Sequence, residues 1–314
     1  MQLKDRIGRK LKLRDLNILL AVTQTGSMIK AARLLSVSHP VVSKSIADLE
    51  RTFGVRFFDR TSSGVEPTQF GYALLKRSIS VFDELKQSVN EIEFLADPSA
   101  GTLSVGASEP VAAGILPAII ARLSRKHPRL TYHIEQGDAL TLQRRDLRER
   151  KVEFVIARML GPVIDPDMEA NVLFYEKLLV VAGVQSKWVG RRKIALRELV
   201  NESWILAPLE TMPDSPFVDA FRAIGLDAPT PRVLVYSLPL RASLLATGEF
   251  ITLVPGSVLR FGGEHMSLKV LPVQLPDWQL PVAIITLKNR ALSPLAQTFI
   301  ECARDVVKPL VKCP

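Results

Sequence analysis

The stretch "SVSHPVVSKSI", residues 36–46, decides how the first part of the chain is built. Proline is tolerated in the first turn of a helix, and a serine just ahead of that turn can cap the free backbone amides. We therefore expect a helix that begins at Ser38 and buries Val42, Ile46, Leu49 and Phe53 on one stripe. A merely solvated face seldom holds the small or hydrogen-bonding side chains of the opposite stripe, which are His39, Pro40, Ser43, Lys44 and Ala47.

A second helix precedes this one at very close range. The segment "MIKAARLL" follows Gly26 and Ser27, and only "SV" and Ser38 separate it from the next helix. Two helices joined by so short a turn cross steeply, which is the helix-turn-helix arrangement that presents its second helix to the major groove of DNA. We expect DNA contacts at the starts of these helices and along the polar stripe, from Ser27, Ser38, His39, Pro40, Ser43 and Lys44.

The segment "GVRFFDRTSSGVEPT", residues 54–68, predicts two short strands around a turn. Such a β-hairpin wing beside a helix-turn-helix commonly touches the DNA backbone or minor groove, and Arg60 is the expected contact. The alternative is a plain three-helix bundle with a polar face.

Charge is concentrated in the same region. Residues 1–60 hold twelve Lys or Arg against five Asp or Glu, whereas the whole 314-residue chain has a net charge of +9. Such a basic segment suggests a polyanionic partner, either nucleic acid or a membrane surface. The charged start and the lack of a run of about 18 apolar residues predict a cytoplasmic protein without a membrane span.

Metal and cofactor motifs are not found in the sequence. Cys302 and Cys313 offer no metal-ligand spacing, and we expect them to be reduced thiols. A phosphate-binding Walker loop, a zinc pattern and a dinucleotide fingerprint are all missing. We therefore expect no cofactor, no metal site and no catalytic residues.

The stretch from Leu13 to Thr68 closely resembles the N-terminal domain of LysR-type bacterial transcription regulators, through the frame "AA..L.VS.P..S..I..LE...G..LF.R". The resemblance implies base and backbone contacts at the start of the recognition helix, from Ser38 to Lys44. Many members carry glutamine where this chain has His39, and the imidazole offers a different hydrogen-bonding pattern to bases. The wing has "TSSG" where an arginine often sits.

A long helix is expected after the wing. Leu75, Phe82 and Val89 repeat every seven residues, with Leu85 and Ile92 in the offset positions, which is typical of a coiled-coil seam. We expect this helix to form a homodimer, although the seam could instead pack on the chain's own C-terminal domain. The resemblance further implies a homotetramer and contact with RNA polymerase.

From Thr102 onward, short apolar runs alternate with amphipathic helices, which favours helices packed on mostly parallel sheets. The expected strands are "LSVGA", "LTYHIE", "EFVIAR", "LLVVAG", "WILA", "RVLVY", "FITLV", "LKVLP" and "VAIITL". The expected helices between them include 111–125, 139–150, 215–224, 238–247 and 293–307.

The expected fold class of the whole chain is α+β multidomain, with a two-subdomain α/β effector domain at its C-terminal end. The expected parts are a winged helix-turn-helix (1–67), a linker helix (68–95), a hinge (96–101) and an effector domain (102–314). The effector domain divides into subdomain I, about 102–175 and 274–314, and subdomain II, about 176–273. The resemblance implies that it is similar to type 2 periplasmic binding proteins, with a small molecule held between subdomains.

Ligands of open α/β sheets bind beyond the carboxyl ends of the strands. The segments "GASEP", "EQGD", "LAPLET" and "VYSLP" follow expected strands. They supply the candidate effector contacts, although serine or aspartate at such positions can equally be a helix cap. The candidates are Ser108, Glu109, Asp138, Leu209, Thr211 and Ser237.

The function expected from these patterns is a DNA-binding transcription regulator switched by a small molecule. The segment "SWILAPLETMPDSPFVDAFRAIGL" is similar to the sugar-responsive and aromatic-acid-responsive branch of the family, so the effector is expected to be a sugar, a sugar acid or an aromatic acid. A ligand-independent repressor and a transport solute-binding protein are alternatives. A serine hydrolase is disfavoured because Pro110 stands where a nucleophile elbow needs glycine.

Overall fold

The computed structural model describes residues 11–61, 64–159, 165–262, 267–278 and 280–311, without the side chains of Arg60 and Val311. The chain forms two compact units, which divide in the sequence between Val89 and Asn90. Among the described residues, no helix is both long enough and apolar enough to cross a membrane.

The first unit is a three-helix arrangement followed by a hairpin. Its elements are α1 (Leu13–Thr25), α2 (Met28–Leu34), α3 (His39–Phe53), β1 (Phe58–Thr61) and β2 (Gly64–Pro67). Val42, Ile46 and Leu49 of α3 are buried in one apolar core with residues of α1 and α2. The expected stripe is therefore the inner face of α3. Ser38 stands at the position before the helix, but its hydroxyl makes no capping hydrogen bond, contrary to expectation.

Polar contacts fix α3 against its neighbours on both sides. The Ser45 hydroxyl donates to a carboxylate oxygen of Asp15 on α1 at 2.5 Å. Glu50 accepts a hydrogen bond from the backbone N–H of Phe57, at the start of the wing, at 2.7 Å. Because both side chains are on α3, its rotation is set by more than apolar packing.

The wing is an antiparallel pair in which Phe58 lies opposite Pro67. Strand β2 of the wing is held to the turn between α1 and α2, because the Val65 N–H donates to the Gly26 carbonyl at 3.0 Å. After the wing comes α4 (Gln69–Ala96), where the linker helix was expected. The Gly71 N–H donates to the Thr68 hydroxyl at 3.2 Å, which caps the start of this helix.

The second unit contains two five-stranded sheets. Its helices and strands, in chain order, are β3 (Ala100–Ser108), α5 (Glu109–Ala113), α6 (Ile115–Lys126), β4 (Arg129–Gly137), α7 (Ala139–Thr141), β5 (Phe154–Arg158), β6 (Met168–Glu176), β7 (Leu178–Gly183), β8 (Ser203–Leu206), α8 (Pro216–Arg222), β9 (Val233–Leu234), α9 (Leu238–Leu245), β10 (Phe250–Pro255), α10 (Gly256–Gly262), β11 (Leu268–Val270), β12 (Leu280–Leu287) and α11 (Pro294–Val311).

The strand orders are β4-β3-β5-β12-β6 in the first sheet and β11-β7-β10-β8-β9 in the second. Four of the five strands in each sheet run in the same direction, as expected for mostly parallel sheets, and one strand in each is reversed. β12 runs antiparallel to β5 and β6, and β7 runs antiparallel to β10 and β11. The chain leaves the first sheet after β6, enters the second sheet at β7 and returns to the first at β12, so the reversed strand of each sheet is the one by which the chain enters it from the other sheet. Each sheet forms its own core, one around Phe154 and Phe299 and the other around Trp204 and Phe221.

Several elements differ from those expected. The helix expected at 111–125 is two helices separated by Gly114, where a Cβ would lie 2.9 Å from the Pro110 carbonyl oxygen. The helix expected at 139–150 is short α7 followed by a π-helical segment, Leu142–Leu147. β6 and α10 were not predicted. In β6, a register shift opposite Val282 and Ala283 breaks the alternation that marks a strand.

Cys302 is a buried free thiol on α11, and burial raises its pKa. A buried thiol with a raised pKa is a poor nucleophile, so Cys302 has a packing role. Cys313 lies outside the described residues.

Gly64 offers a test of how the wing is joined to the helices. Its φ is +145°, and a Cβ there would lie 2.3 Å from the Gly26 carbonyl oxygen. Gly26 also has a positive φ, +63°, but open space around it. We expect G64A to lower the unfolding free energy of this unit by about 1 to 3 kcal/mol more than G26A, because only G64A adds a steric clash.

Native-state hydrogen exchange of α1–α3 amides measures this difference for the first unit separately. Equal losses in the two variants would show that the wing does not need this close contact.

Candidate functional site

The polar stripe of α3 faces outward. Ser38, His39, Pro40 and Lys44 are exposed and Ser43 is half-buried, whereas Val42 between them is fully buried. His39 and Ser43, like Pro40 and Lys44, are four residues apart and therefore neighbours on one side of the helix. The Ser38 hydroxyl is not used in capping. The structure thus brings these five expected contacts together on one accessible surface.

The other two expected DNA contacts, Ser27 and Arg60, do not lie on α3. Ser27 caps α2, because its hydroxyl accepts from the Lys30 N–H at 3.4 Å. Arg60 belongs to β1 by its backbone, but its side chain lies outside the described part of the chain.

A cavity of about 370 Å³ lies in the second unit, with walls from both sheets. On one side are residues at the ends of β3, β4 and β5, and on the other are residues that follow β8 and β9. The carboxyl ends of parallel strands thus open onto a shared cleft, as expected for a ligand site in an α/β domain.

Four of the six expected effector contacts line this cleft, namely Ser108, Glu109, Asp138 and Leu209. Thr211 and Ser237 are not among its lining residues. The Thr211 hydroxyl donates to the Pro208 carbonyl at 2.7 Å, and the Ser237 hydroxyl accepts from the Leu240 N–H at 3.4 Å as the cap of α9. Both hydroxyls therefore stabilise local turns.

Ser108 brings an unsatisfied hydroxyl to the wall of the cleft. It is only 8% exposed, stands before α5 without making a capping bond, and its hydroxyl has no hydrogen-bond partner. Buried polar groups in proteins are almost always hydrogen-bonded. A hydroxyl buried without a partner on a cleft wall is therefore available to a ligand.

Asp138 is a fixed negative charge. Its carboxylate accepts from the N–H groups of Leu140 and Thr141, at 3.1 and 2.9 Å, and caps α7. Burial acts to raise its pKa, but the hydrogen bonds from Thr141 and Leu140 outweigh burial and hold the pKa below its usual range. Asp138 is therefore ionised at neutral pH, with much of its accepting capacity already used.

Arg158 was missed by the sequence reasoning, although it is the last residue of a predicted strand. It ends β5, lines the cleft and is half-buried. Its guanidinium makes no hydrogen bond or ion pair within the described residues. Its charge does act on buried Glu176, whose pKa is raised by burial and lowered in part by hydrogen bonds from Ser257 and by Arg158. Applying the strand-end rule to "EFVIAR" would have identified it.

Arg241, the second cationic residue of the cleft, is fully committed to the protein. It is buried on α9, and its guanidinium donates to the carbonyls of Val235, at 2.7 and 3.1 Å, and Leu253, at 3.3 Å. A carboxylate oxygen of buried Glu210 lies 3.5 Å from the same group. Arg241 and Glu210 therefore shape the wall of the cleft.

Glu109 joins the two sides of the cleft. One oxygen of its carboxylate accepts from the backbone N–H of Leu238, the first residue of α9, at 3.0 Å. The other accepts from the side-chain amide of Gln136, at the end of β4. A side chain from the first sheet's side thus holds a helix of the second sheet's side.

Among the described residues, no group of three or more His, Cys, Asp or Glu side chains is placed to hold a metal ion. A winged helix-turn-helix joined in one chain to a two-sheet domain with a cleft at its strand ends is the architecture of a ligand-responsive DNA-binding regulator.

Comparison with known proteins identifies the family. The model of the "LysR substrate binding domain" matches residues 96–308, and that of the "Bacterial regulatory helix-turn-helix protein, lysR family" matches residues 13–72. The chain therefore belongs to the LysR family of bacterial transcription regulators, whose members combine a DNA-binding head with an effector-binding domain.

Curated relatives and solved structures agree with this assignment. The regulator GbpR of Azospirillum brasilense is 27% identical over 94% of this chain and 86% of its own length. BenM of Acinetobacter baylyi is 27% identical over 94% of this chain and 96% of its own. The crystal structure of full-length CbnR complexed with its target DNA has a TM-score of 0.65 at 21% identity, covering 94% of this chain and 100% of that one, and shows a shared fold.

The buried network of Arg241 generates a stability prediction. R241A leaves Glu210 buried without its partner, and removing one member of a buried ion pair costs about 3 to 5 kcal/mol. The control is R222A, which breaks an exposed ion pair with Asp219 and should cost about 1 kcal/mol or less. Urea unfolding followed by the fluorescence of the buried Trp204 measures both. A loss in R241A no larger than that in R222A would contradict this role.

Proposed function

We propose that the outward stripe of α3 reads promoter DNA and that the cleft of the second unit binds a small acidic effector. The observation that carries the effector half is the pair of unused groups in the cleft, the Ser108 hydroxyl and the Arg158 guanidinium. Family membership supports both halves.

The DNA half rests on surface chemistry. His39, Ser43 and Lys44 supply hydrogen-bonding groups to base edges and phosphates from one side of a helix whose other side is buried. Ser38 adds a hydroxyl at the helix start. Positive charge concentrated in residues 1–60 would attract the phosphate backbone without regard to sequence, while the helix contacts would supply preference.

The effector class follows from which polar groups are free. Arg241, Glu210 and Asp138 are committed to protein contacts, whereas Arg158 and Ser108 are not. A guanidinium and a hydroxyl suit a carboxylate, since charge-assisted hydrogen bonds to arginine are among the strongest available. Of the expected classes, this favours a sugar acid or an aromatic acid over a neutral sugar.

We propose self-association through α4. Three of its seam residues are strongly exposed, with Leu85 at 43%, Val89 at 53% and Ile92 at 66%. An apolar stripe of this kind on a 28-residue helix is explained by a second helix packed against it. A homodimer would carry two DNA-binding heads; a homotetramer and contact with RNA polymerase are what the family resemblance adds. Such a protein would act in the cytoplasm, where bacterial DNA lies.

The mechanism we propose is linkage. An effector that prefers one arrangement of the two subdomains shifts the population toward it and so changes how the dimer holds DNA. A coupling of about 1 to 3 kcal/mol would change promoter occupancy roughly 5-fold to 150-fold.

Alternative functions leave features unused. A ligand-independent repressor would leave the unpaired Ser108 hydroxyl and Arg158 without a role. A serine hydrolase needs a base beside its nucleophile, but no histidine is among the residues that line the described cleft, and Pro110 follows Ser108 in place of glycine.

Lys44 provides the test of the DNA half. If Lys44 meets a phosphate, K44A should weaken binding to all duplexes and flatten its salt dependence; if it meets a base, the preferred sequence should change at about 1 to 3 kcal/mol. Fluorescence anisotropy with labelled duplexes over a salt series separates the two. K269A, an exposed lysine of the second unit, is the control. Unchanged affinity and preference in K44A would remove Lys44 from the interface.

Arg158 and Ser108 provide the test of the effector half. In a thermal-shift screen, D-gluconate, benzoate and related acids are compared with D-glucose and benzamide, since a bound ligand raises the melting temperature by mass action. R158Q should lose most of the shift caused by an acid, because a hydrogen bond to a charged group contributes about 1.5 to 3 kcal/mol. Ser108→Leu should abolish the shift and leave DNA binding intact, while R197Q, an exposed control, should change nothing.

Equal shifts by acids in R158Q and the wild type, or shifts by the neutral compounds alone, would contradict an acidic effector at this site.

A further inference from the structure

We propose that Glu109 is a latch between the two subdomains: its bond to Leu238 holds them closed, and an acidic effector at Arg158 weakens that bond. This inference rests on the proposed function for the identity of the effector, but the latch itself can be tested without any ligand.

The latch is built from groups distant in sequence. Glu109 lies 129 positions before Leu238, on the helix that follows β3, whereas Leu238 begins α9 beside the other sheet. The remaining first-turn amides of α9 cannot replace this contact, because Pro239 has no N–H and the Leu240 N–H donates to Ser237. A carboxylate at the start of a helix is also favoured by the helix dipole. Separating the subdomains would break this bond and leave the Leu238 amide to water.

Gln136 positions the latch. Its side-chain amide donates to the second oxygen of Glu109, so that the carboxylate is held from its own side of the cleft while it reaches across. The carboxylate is therefore oriented before the two sides meet, so that less conformational entropy is lost when the contact with Leu238 forms.

Arg158 and Glu109 line the same side of the cleft. The parallel pairing of β3 with β5 sets Ala107 opposite Ile156, which brings the ends of the two strands, and the residues just beyond them, side by side. Both side chains line one cavity, and they form no ion pair. In the proposed switch Arg158 acts on Glu109 through its field, most strongly when the cleft is closed and little water screens it.

An acidic effector would change this balance. Its carboxylate would neutralise Arg158 and so remove a positive charge from the side of the cleft that Glu109 also lines. The same carboxylate would also stand near Glu109 as a like charge. Both effects disfavour the latched arrangement relative to an open one in which water surrounds Glu109. A neutral ligand in the same place would have neither effect, so Glu109 makes the switch selective for charge.

Hydrogen–deuterium exchange of the Leu238 amide measures the latch in the full-length protein, and this amide is separated from the next by Pro239. E109A should exchange at least about tenfold faster than the wild type without any ligand. E109Q should stay protected, because its amide oxygen can still accept from Leu238. E135Q, which removes an exposed charge from β4 outside the cleft, should match the wild type.

The coupling is tested in the same experiment. R158Q should speed the exchange of Leu238 in the free protein, because it removes the same positive charge that an acid would neutralise. D-gluconate or benzoate, whichever raises the melting temperature, should speed exchange in the wild type and leave E109A and E109Q unchanged.

Separate results would contradict the latch, its release by charge and the proposed effector class. Exchange in E109A equal to that of the wild type would overturn the latch. Unchanged exchange in R158Q, or slower exchange when an acid binds, would overturn its release by charge. If no acid in the panel alters the melting temperature, the proposed effector class fails, whereas E109A and R158Q still decide the latch.

Discussion

Burial of one side of α3 is the constraint on which the DNA-binding head depends. With Val42, Ile46 and Leu49 packed on α1 and α2, the residues between them have one direction left, outward. The hydrogen bonds of Ser45 to Asp15 and of Glu50 to the wing fix the rotation of the helix. The outward residues can therefore act as a preformed reading surface, and little conformational entropy would be lost when DNA is bound.

In the second unit, one set of side chains gives the cleft its shape and another set remains free to bind a ligand. Arg241 and Glu210 are buried charges whose hydrogen bonds are spent on the protein, so they set the wall and contribute rigidity. Ser108 and Arg158, on the ends of neighbouring strands, retain unused capacity. Glu109 stands between these roles, because it uses its hydrogen bonds on the protein but spends one of them across the cleft. A cleft of this kind can bind a ligand and change its own closure with the same few side chains.

Much of the head was predictable from sequence because its signals are local. The position of Pro40, the short link after Leu35 and the spacing of Val42 and Ile46 determine where the helix starts, how it crosses its neighbour and which face it buries, without distant contacts.

In the second unit, strands such as β5 were predictable from apolar runs, and the rule on strand ends led to Ser108 and Asp138. The features that the sequence did not predict depend on residues far apart in the chain. β6 loses its alternation where β12 shifts register, and the bond of Glu109 to Leu238 joins residues that no local pattern connects. Thr211 and Ser237 fit the strand-end rule but are used within their own turns.

Selection of binding sites from a random duplex library, performed with the wild-type chain and with H39Q, tests the central claim most directly. If residues 39 to 44 enter a groove, the wild type should enrich a two-fold symmetric motif that it binds at least about a thousandfold more tightly than unrelated duplex at moderate salt. H39Q should alter the base preferred at one position of each half-site. No enrichment, or the same motif from both proteins, would contradict the account.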